Sequence, residues 1–206
     1  VATPALNRIV EWNEAMHLPE ALYNIEQWMR QQENAATKIT EQILQVNSFS
    51  HFLAVIFGIG ILTGIGEEMI FRGVLQRIVQ DKNHRAHVAV WICAFLFSAI
   101  HLQFYGFIPR LLLGAFFGYL LVWSKNLWLP IFAHLFNNSK VACISYFTND
   151  ISPDNLIETV GTSGSPTSWL AGASLIGTVI LLYVLYKKVF VSKSKEFFPM
   201  EDKITP

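Results

Sequence analysis

Charge is the scarcest property of this 206-residue chain. Only 15% of its residues are Asp, Glu, Lys or Arg, and its 15 basic and 15 acidic side chains cancel. With no net positive field there is no whole-chain attraction to phosphate, which excludes a nucleic-acid partner bound through bulk charge. At 52% hydrophobic residues and a mean hydropathy of +0.38, the composition also excludes disorder and collagen. Cysteine is nearly missing: Cys93 and Cys143 stand alone in apolar runs, so there is no disulfide scaffold and no CxxC zinc or redox motif. HExxH, the strong local zinc signature, is absent. No aspartate lies in any apolar run. Gly64-Ile65-Gly66-Glu67 therefore cannot serve as the GxGD of an aspartyl protease, which needs two such acids.

Long apolar stretches are abundant instead. Phe49 to Gly66 carries no charge. Val88 to Ile100, Phe104 to Trp123, Leu127 to Tyr146 and Trp169 to Tyr186 are interrupted only by Arg110 and Lys140. A bilayer core takes about 20 apolar residues per helix, so the pattern predicts an all-α, polytopic membrane bundle with roughly five crossings and the lipid bilayer as its first partner. Arg77, Lys82 and Arg85 fall in one connection, Lys125 in another, and Lys187, Lys188, Lys193, Lys195 and Lys203 towards the C-terminus. The connections between them hold no basic residue from Leu102 to Pro109, and only acids (Asp150, Asp154, Glu158) from Asn149 to Ser168. The positive-inside rule then predicts a cytoplasmic C-terminus.

Three units follow: an acidic segment 1–48, a membrane core 49–191 and a basic tail 192–206. In the first, Leu22, Ile25, Met29, Ala36, Ile39, Ile43 and Val46 draw an apolar stripe along a helix. Three basic residues against six glutamates leave that helix without the cationic face of a membrane-surface element. The stripe is expected to pack on the protein's own extramembrane surface or on a partner. The chain opens on Val with no signal-peptide pattern, which suggests a processed or truncated N-terminus.

Ionisable groups inside spans cost several kcal/mol or more unless they are partnered, so each is a candidate site residue. The first cluster is Glu67-Glu68-Met69-Ile70-Phe71-Arg72. Glu68 and Arg72, four apart on a helix, share a face and can pair. Glu67 is turned about 100° away and must find its partner on another helix. The second cluster is Phe97 with His101, and the third His134 with Asn138, again four apart. At about 1.5 Å per residue from the assigned cytoplasmic ends, Glu67, His101 and His134 lie at roughly 15, 21 and 10 Å, compatible with a meeting near mid-membrane. His17, His51, His84 and His87 read as solvated or interfacial, and the glycines at 58, 60, 64, 66, 114 and 118 as sites of close helix packing. Gly161-Thr162-Ser163-Gly164 has the GxSG form of a rhomboid nucleophile, but no histidine follows it. It is expected to be a flexible linker.

The three polar clusters resemble the signatures EExxxR, FxxxH and HxxxN of the CAAX protease and bacteriocin-processing family of intramembrane proteases, also called Abi or Rce1-like. The match covers about Phe49 to Phe147, including the contexts EEMIFRGVLQ and WLPIFAHLFNN. Family members usually carry further spans ahead of the EExxxR helix, where this chain has its acidic segment. The resemblance implies an intramembrane endopeptidase acting on membrane-associated protein or peptide substrates. These would be prenylated CAAX proteins in eukaryotes and bacteriocin precursors or immunity functions in bacteria. It also implies that Glu67 and His101 activate a water, that His134 and Asn138 form the oxyanion site, and that Glu68, Arg72 and Phe97 support them.

The residues themselves allow that chemistry. A desolvated carboxylate is a better base than a solvated one, and N–H groups on one helix face can meet an oxyanion. They also allow zinc held by Glu67, His101 and His134, or a metal-free water activated by glutamate alone. Two other classes use the same buried groups: a transporter with a Glu/His ion relay, and a non-catalytic immunity or binding protein of the same fold.

Overall fold

The structure, a computed structural model, describes residues 2–83, 86–148 and 159–187. The expectations placed on His84, Arg85, most of the acidic loop and the tail 192–206 fall outside them. Among the described residues there are seven helices and no strand, as the apolar pattern predicts. They are α1 (Thr3–Glu14), α2 (Tyr23–Leu44), α3 (residues 49–83), α4 (Ala86–Ala99), α5 (Phe107–Ser124), α6 (Trp128–Thr148) and α7 (Trp169–Leu185).

Each of the five apolar runs forms one of the last five helices. Two of them, Phe49–Gln80 and Phe107–Ser124, are long and apolar enough to cross a membrane by length and composition. Ala86–Ala99 is apolar, but its 14 residues rise only about 21 Å against a core of about 30 Å. Trp128–Thr148 has 21 residues but carries His134, Asn137, Asn138 and Lys140. Outward-facing Ile70, Phe136, Phe147 and Ile176 are each more than 60% exposed, an apolar surface that suits lipid and not water.

Helix α3 departs twice from α geometry. Ser48 caps its start by accepting from the His51 N–H at 3.2 Å. Two π-helical stretches, Ile56–Leu62 and Met69–Leu75, then bracket the short α segment Thr63–Glu68. Side chains meet the carbonyls of the first wide turn: the Thr63 hydroxyl donates to Gly58 O at 3.0 Å and Asn138 Nδ2 to Ile59 O at 3.3 Å. Such turns often mark functional sites, and the two here flank the segment that carries Glu67 and Glu68.

The bundle is held by close backbone approach and buried polar pins. Arg72 NH2 donates to Gly114 O at 2.8 Å and Gln76 Nε2 to Gly118 O at 3.2 Å, so residues four apart on α3 hold carbonyls four apart on α5. A side chain at Gly118 would meet Gln76 Oε1 at 2.9 Å and Val90 Cγ1 at 3.0 Å; one at Gly64 would meet the backbone N of Leu135 at 3.2 Å. Gly60 and Gly114 are crowded too, whereas Gly58 and Gly66 have open space, which corrects the packing role expected of those two. Gly118→Ala is accordingly expected to lower stability by about 1–3 kcal/mol by overpacking. Gly66→Ala should leave it unchanged or slightly raise it. Thermal unfolding in detergent separates the two.

The N-terminal segment is tied down differently from expectation. Helix α1 packs on α5 and α7, where the N–H of Ala5 donates to Ser174 Oγ at 3.3 Å. Buried Asn13 bridges the loop before α5, donating to Phe104 O and accepting from the Ile108 N–H. The GxSG segment is no free linker. Gly161 adopts φ +87° against Pro4, Asn7 donates to Val160 O, and the N–H and hydroxyl of Ser163 both donate to Glu11, holding its carboxyl below the usual range. Of the apolar stripe, Leu22, Ile25, Ile39 and Ile43 are exposed, Met29 and Ala36 are half-buried and Val46 is buried, while Glu26 and Leu44 also face inward. The protein's own surface therefore covers only part of the stripe.

Glu26 anchors the start of α2 through Arg30 (2.7 Å), the Leu18 N–H (2.9 Å) and His17 (3.0 Å). These bonds, Arg30's foremost, lower its carboxyl from 4.5 to about 2. Because the folded value lies below the ordinary one, the anchorage is complete above pH about 4.5 and is lost as pH falls towards 2. Proteolysis between α1 and α2 is expected to accelerate only in that window, and in Glu26→Gln at every pH.

Candidate active site

The expected residues come together from three helices. Glu67 on α3, Phe97 and His101 at the end of α4, and His134 and Asn138 on α6 line one half-open cavity of about 350 Å³. Thr63, Arg110, Phe117, Asn137 and Val10 of α1 complete much of its wall.

Each imidazole is fixed by its Nδ1. His101 sits two residues past the last helical residue of α4, where terminal carbonyls lack intrahelical partners. Its Nδ1 lies 2.7 Å from Phe97 O. A carbonyl only accepts, so Nδ1 carries the proton and Nε2 is left as the acceptor. The i,i+4 spacing of FxxxH is thus the spacing at which a histidine caps its own helix. Phe97 adds an edge contact to His101 (5.1 Å between centroids) and another to His134 (5.7 Å).

His134 is held more tightly. Its Nδ1 lies 2.7 Å from Glu68 Oε1, the same oxygen that accepts from Arg72 NH1 at 2.6 Å. Its ring stacks on Phe117 at 4.9 Å and 19°. Glu68 and Arg72 are completely buried, and the Arg72 guanidinium also lies over the Phe97 and Phe117 rings at 4.8 and 5.5 Å. Glu68 therefore does more than hold α3 in register, as the sequence pattern suggests: it is a direct partner of His134. With Nδ1–H directed at Glu68, Nε2 faces Glu67, whose Oε2 is 3.7 Å away. Glu67 finds its partner on another helix, as its turn of about 100° from Glu68 requires.

Asn138 gives one amide hydrogen to Ile59 O and receives a long bond (3.4 Å) from Asn137 at Oδ1. Cys93 is buried and Cys143 partly so, both as free thiols.

The acceptor atoms of Glu67, His101 and His134 are chemically suited to zinc. Yet among the described residues no three His, Cys, Asp or Glu side chains converge tightly enough to hold a metal ion. As placed, the three do not form a metal centre.

The sequence pattern gives little weight to Arg110, Phe117, Asn137 and Val10. Arg110 carries a detectable signal, as the only charge between Phe104 and Trp123. Phe117 and Val10 carry none, since an aromatic or aliphatic residue in such a run is ordinary.

Comparison with known proteins bears on the same stretch. Residues 49–139 match the family model described as type II CAAX prenyl endopeptidase Rce1-like, a range that contains all of Glu67, Glu68, Arg72, Phe97, His101, His134 and Asn138. An uncharacterized protein, YpbD of Bacillus subtilis (strain 168), is 29% identical over 109 residues, 51% of this chain and 51% of its own. The chain thus spans about half the length of that curated relative. No solved structure matches it.

Proposed function

We propose that this chain, whose residues 49–139 match the family model described as type II CAAX prenyl endopeptidase Rce1-like, is an intramembrane endopeptidase that hydrolyses its substrate with a glutamate-activated water. The observation that carries the proposal is the shared cavity in which a carboxylate and two imidazoles, each with its Nδ1 engaged elsewhere, line one wall.

In the proposed reaction Glu67 and His101 hold the water, and Glu67 takes its proton. The water oxygen adds to the scissile carbonyl carbon, giving a tetrahedral oxyanion. The proton passes to Nε2 of His134, and the imidazolium so formed is stabilised by the Glu68 carboxylate at Nδ1. Its Nε2–H and the free amide hydrogen of Asn138 then support the oxyanion. As the C–N bond breaks, the proton moves to the leaving amine, and Glu67 returns to its starting state. Glu68, Arg72 and Phe97 act by keeping His134 and His101 in position. A membrane-embedded protein or peptide substrate, including a lipidated one, suits a cavity surrounded by exposed apolar helix faces.

Mass spectrometry of membranes holding active protein or Glu67→Gln tests this. New peptide termini are expected only with the active protein, and identical termini in both samples would overturn the proposal.

A further inference from the structure

Helices α3 and α5 run side by side in the same direction, pinned at Arg72–Gly114 and again four residues on at Gln76–Gly118. The next rung at that spacing is Gln80 and Val122, and there the helices border a half-open cavity of about 260 Å³ whose lining Arg77, Leu121 and Lys125 complete. Two segments long and apolar enough to cross a membrane fix its place: Gln80 is the last residue of one, and Lys125 directly follows the other. The cavity therefore sits where both leave the apolar layer. Tyr119, Trp123 and Tyr186 form a row of ring contacts nearby, each at 5.4 Å, as in the aromatic belt of a membrane boundary. Two cations and an amide line the cavity, and no acid does. Among the described residues neither Arg77 nor Lys125 enters an ion pair. Asp81 is the only acid in the sequence between Glu68 and Asp150. Lys125 also closes α5 in the left-handed conformation, at φ +56°, its N–H donating to Leu121 O at 2.9 Å. Glycine usually fills such a position, because a Cβ is crowded there. A lysine keeps its side chain at a steric cost that glycine avoids, so what the position supplies is the charge.

From this we infer that the cavity binds the headgroup of an anionic phospholipid, its phosphodiester held between Arg77 and Lys125. The guanidinium fork matches two phosphate oxygens with paired hydrogen bonds, and the ammonium adds a point charge. Basic pockets between helices at a membrane surface suit such headgroups. A lipid fits better than a free phosphate, because Leu121 and Val122 offer apolar lining to its glycerol and upper acyl carbons. Exposed Ile78, next to Arg77, is surface of the kind that acyl chains cover. An anionic headgroup fits better than a zwitterionic one, whose ammonium would meet two cations and no acid. The bound phosphate gives α3 and α5 a third link beyond the Gln76–Gly118 pin, this one supplied by the membrane.

This inference stands apart from the hydrolytic proposal and does not depend on it. Its test is binding of dihexanoyl phosphatidylglycerol, dihexanoyl phosphatidylcholine and glycerol 3-phosphate to the full chain, in an uncharged detergent at one ionic strength. Wild type is expected to bind phosphatidylglycerol about tenfold more tightly than either of the others. R77Q and K125G are each expected to lose about fivefold in that affinity, and the double variant to bind the two lipids alike. Glycine suits the left-handed position, so K125G is expected to unfold thermally as wild type does without lipid, and it decides the matter even where R77Q fails to fold. Equal binding of the two lipids by wild type would overturn the inference, as would an undiminished preference in K125G. Glycerol 3-phosphate bound as tightly as phosphatidylglycerol would overturn it in favour of a free phosphate.

Discussion

Glu67→Gln is expected to lower peptide hydrolysis by roughly 10²–10⁴-fold while leaving the protein folded in detergent. The substitution keeps the shape and removes only the proton acceptor. At 3.7 Å its contact with His134 Nε2 is too long to hold the helices together, so little stability depends on it. His101→Ala and His134→Ala should reduce turnover comparably, for different reasons. The first removes an acceptor for the water and uncaps Phe97 O. The second removes the relay nitrogen and leaves Glu68 with Arg72 alone. Because these groups act on one proton, the triple substitution should cost little more than the worst single one. Near-wild-type turnover in Glu67→Gln would remove it from the reaction.

Arg72→Ala is expected to be the most destabilising single change, by about 3–5 kcal/mol, because it strands a fully buried carboxylate. It also frees Gly114 O and takes the cation from between the Phe97 and Phe117 rings. Replacing the pair together, Glu68→Met with Arg72→Leu, should recover much of that stability, since no unpaired charge remains. It should not recover hydrolysis, because His134 Nδ1–H then has no acceptor to fix its orientation. Thermal unfolding and turnover measured on the same three proteins separate the two contributions, and recovery of both would show that Glu68 has no role at His134.

The helical architecture and the cluster of Glu67, His101, His134 and Asn138 were legible because polar residues are conspicuous in apolar runs and i,i+4 spacing fixes a shared face. Contacts between helices were not. Nothing in EExxxR says that Glu68 Oε1 is shared by Arg72 and His134, because that depends on how closely α3 and α6 approach at Gly64. The stripe along α2 was legible as apolar, but periodicity does not say what covers a face, and Glu26 turned inward because Arg30, His17 and Leu18 satisfy it. Ser163 read as part of a loose loop for a similar reason, its partner Glu11 being 152 positions away. The number of crossings stayed open to length: 14-residue α4 is apolar enough but short.

The wide turns of α3 make the site a matter of residue counting. A π turn accommodates one residue more than an α turn, so the same residues wound as a plain α-helix through Ile56–Leu62 would turn everything on one side by about 100° relative to the other. Glu67 would then point where Glu68 now does, without any change in its identity. The two π segments are therefore spacers that set which carboxylate meets the cavity and which is sealed beneath His134.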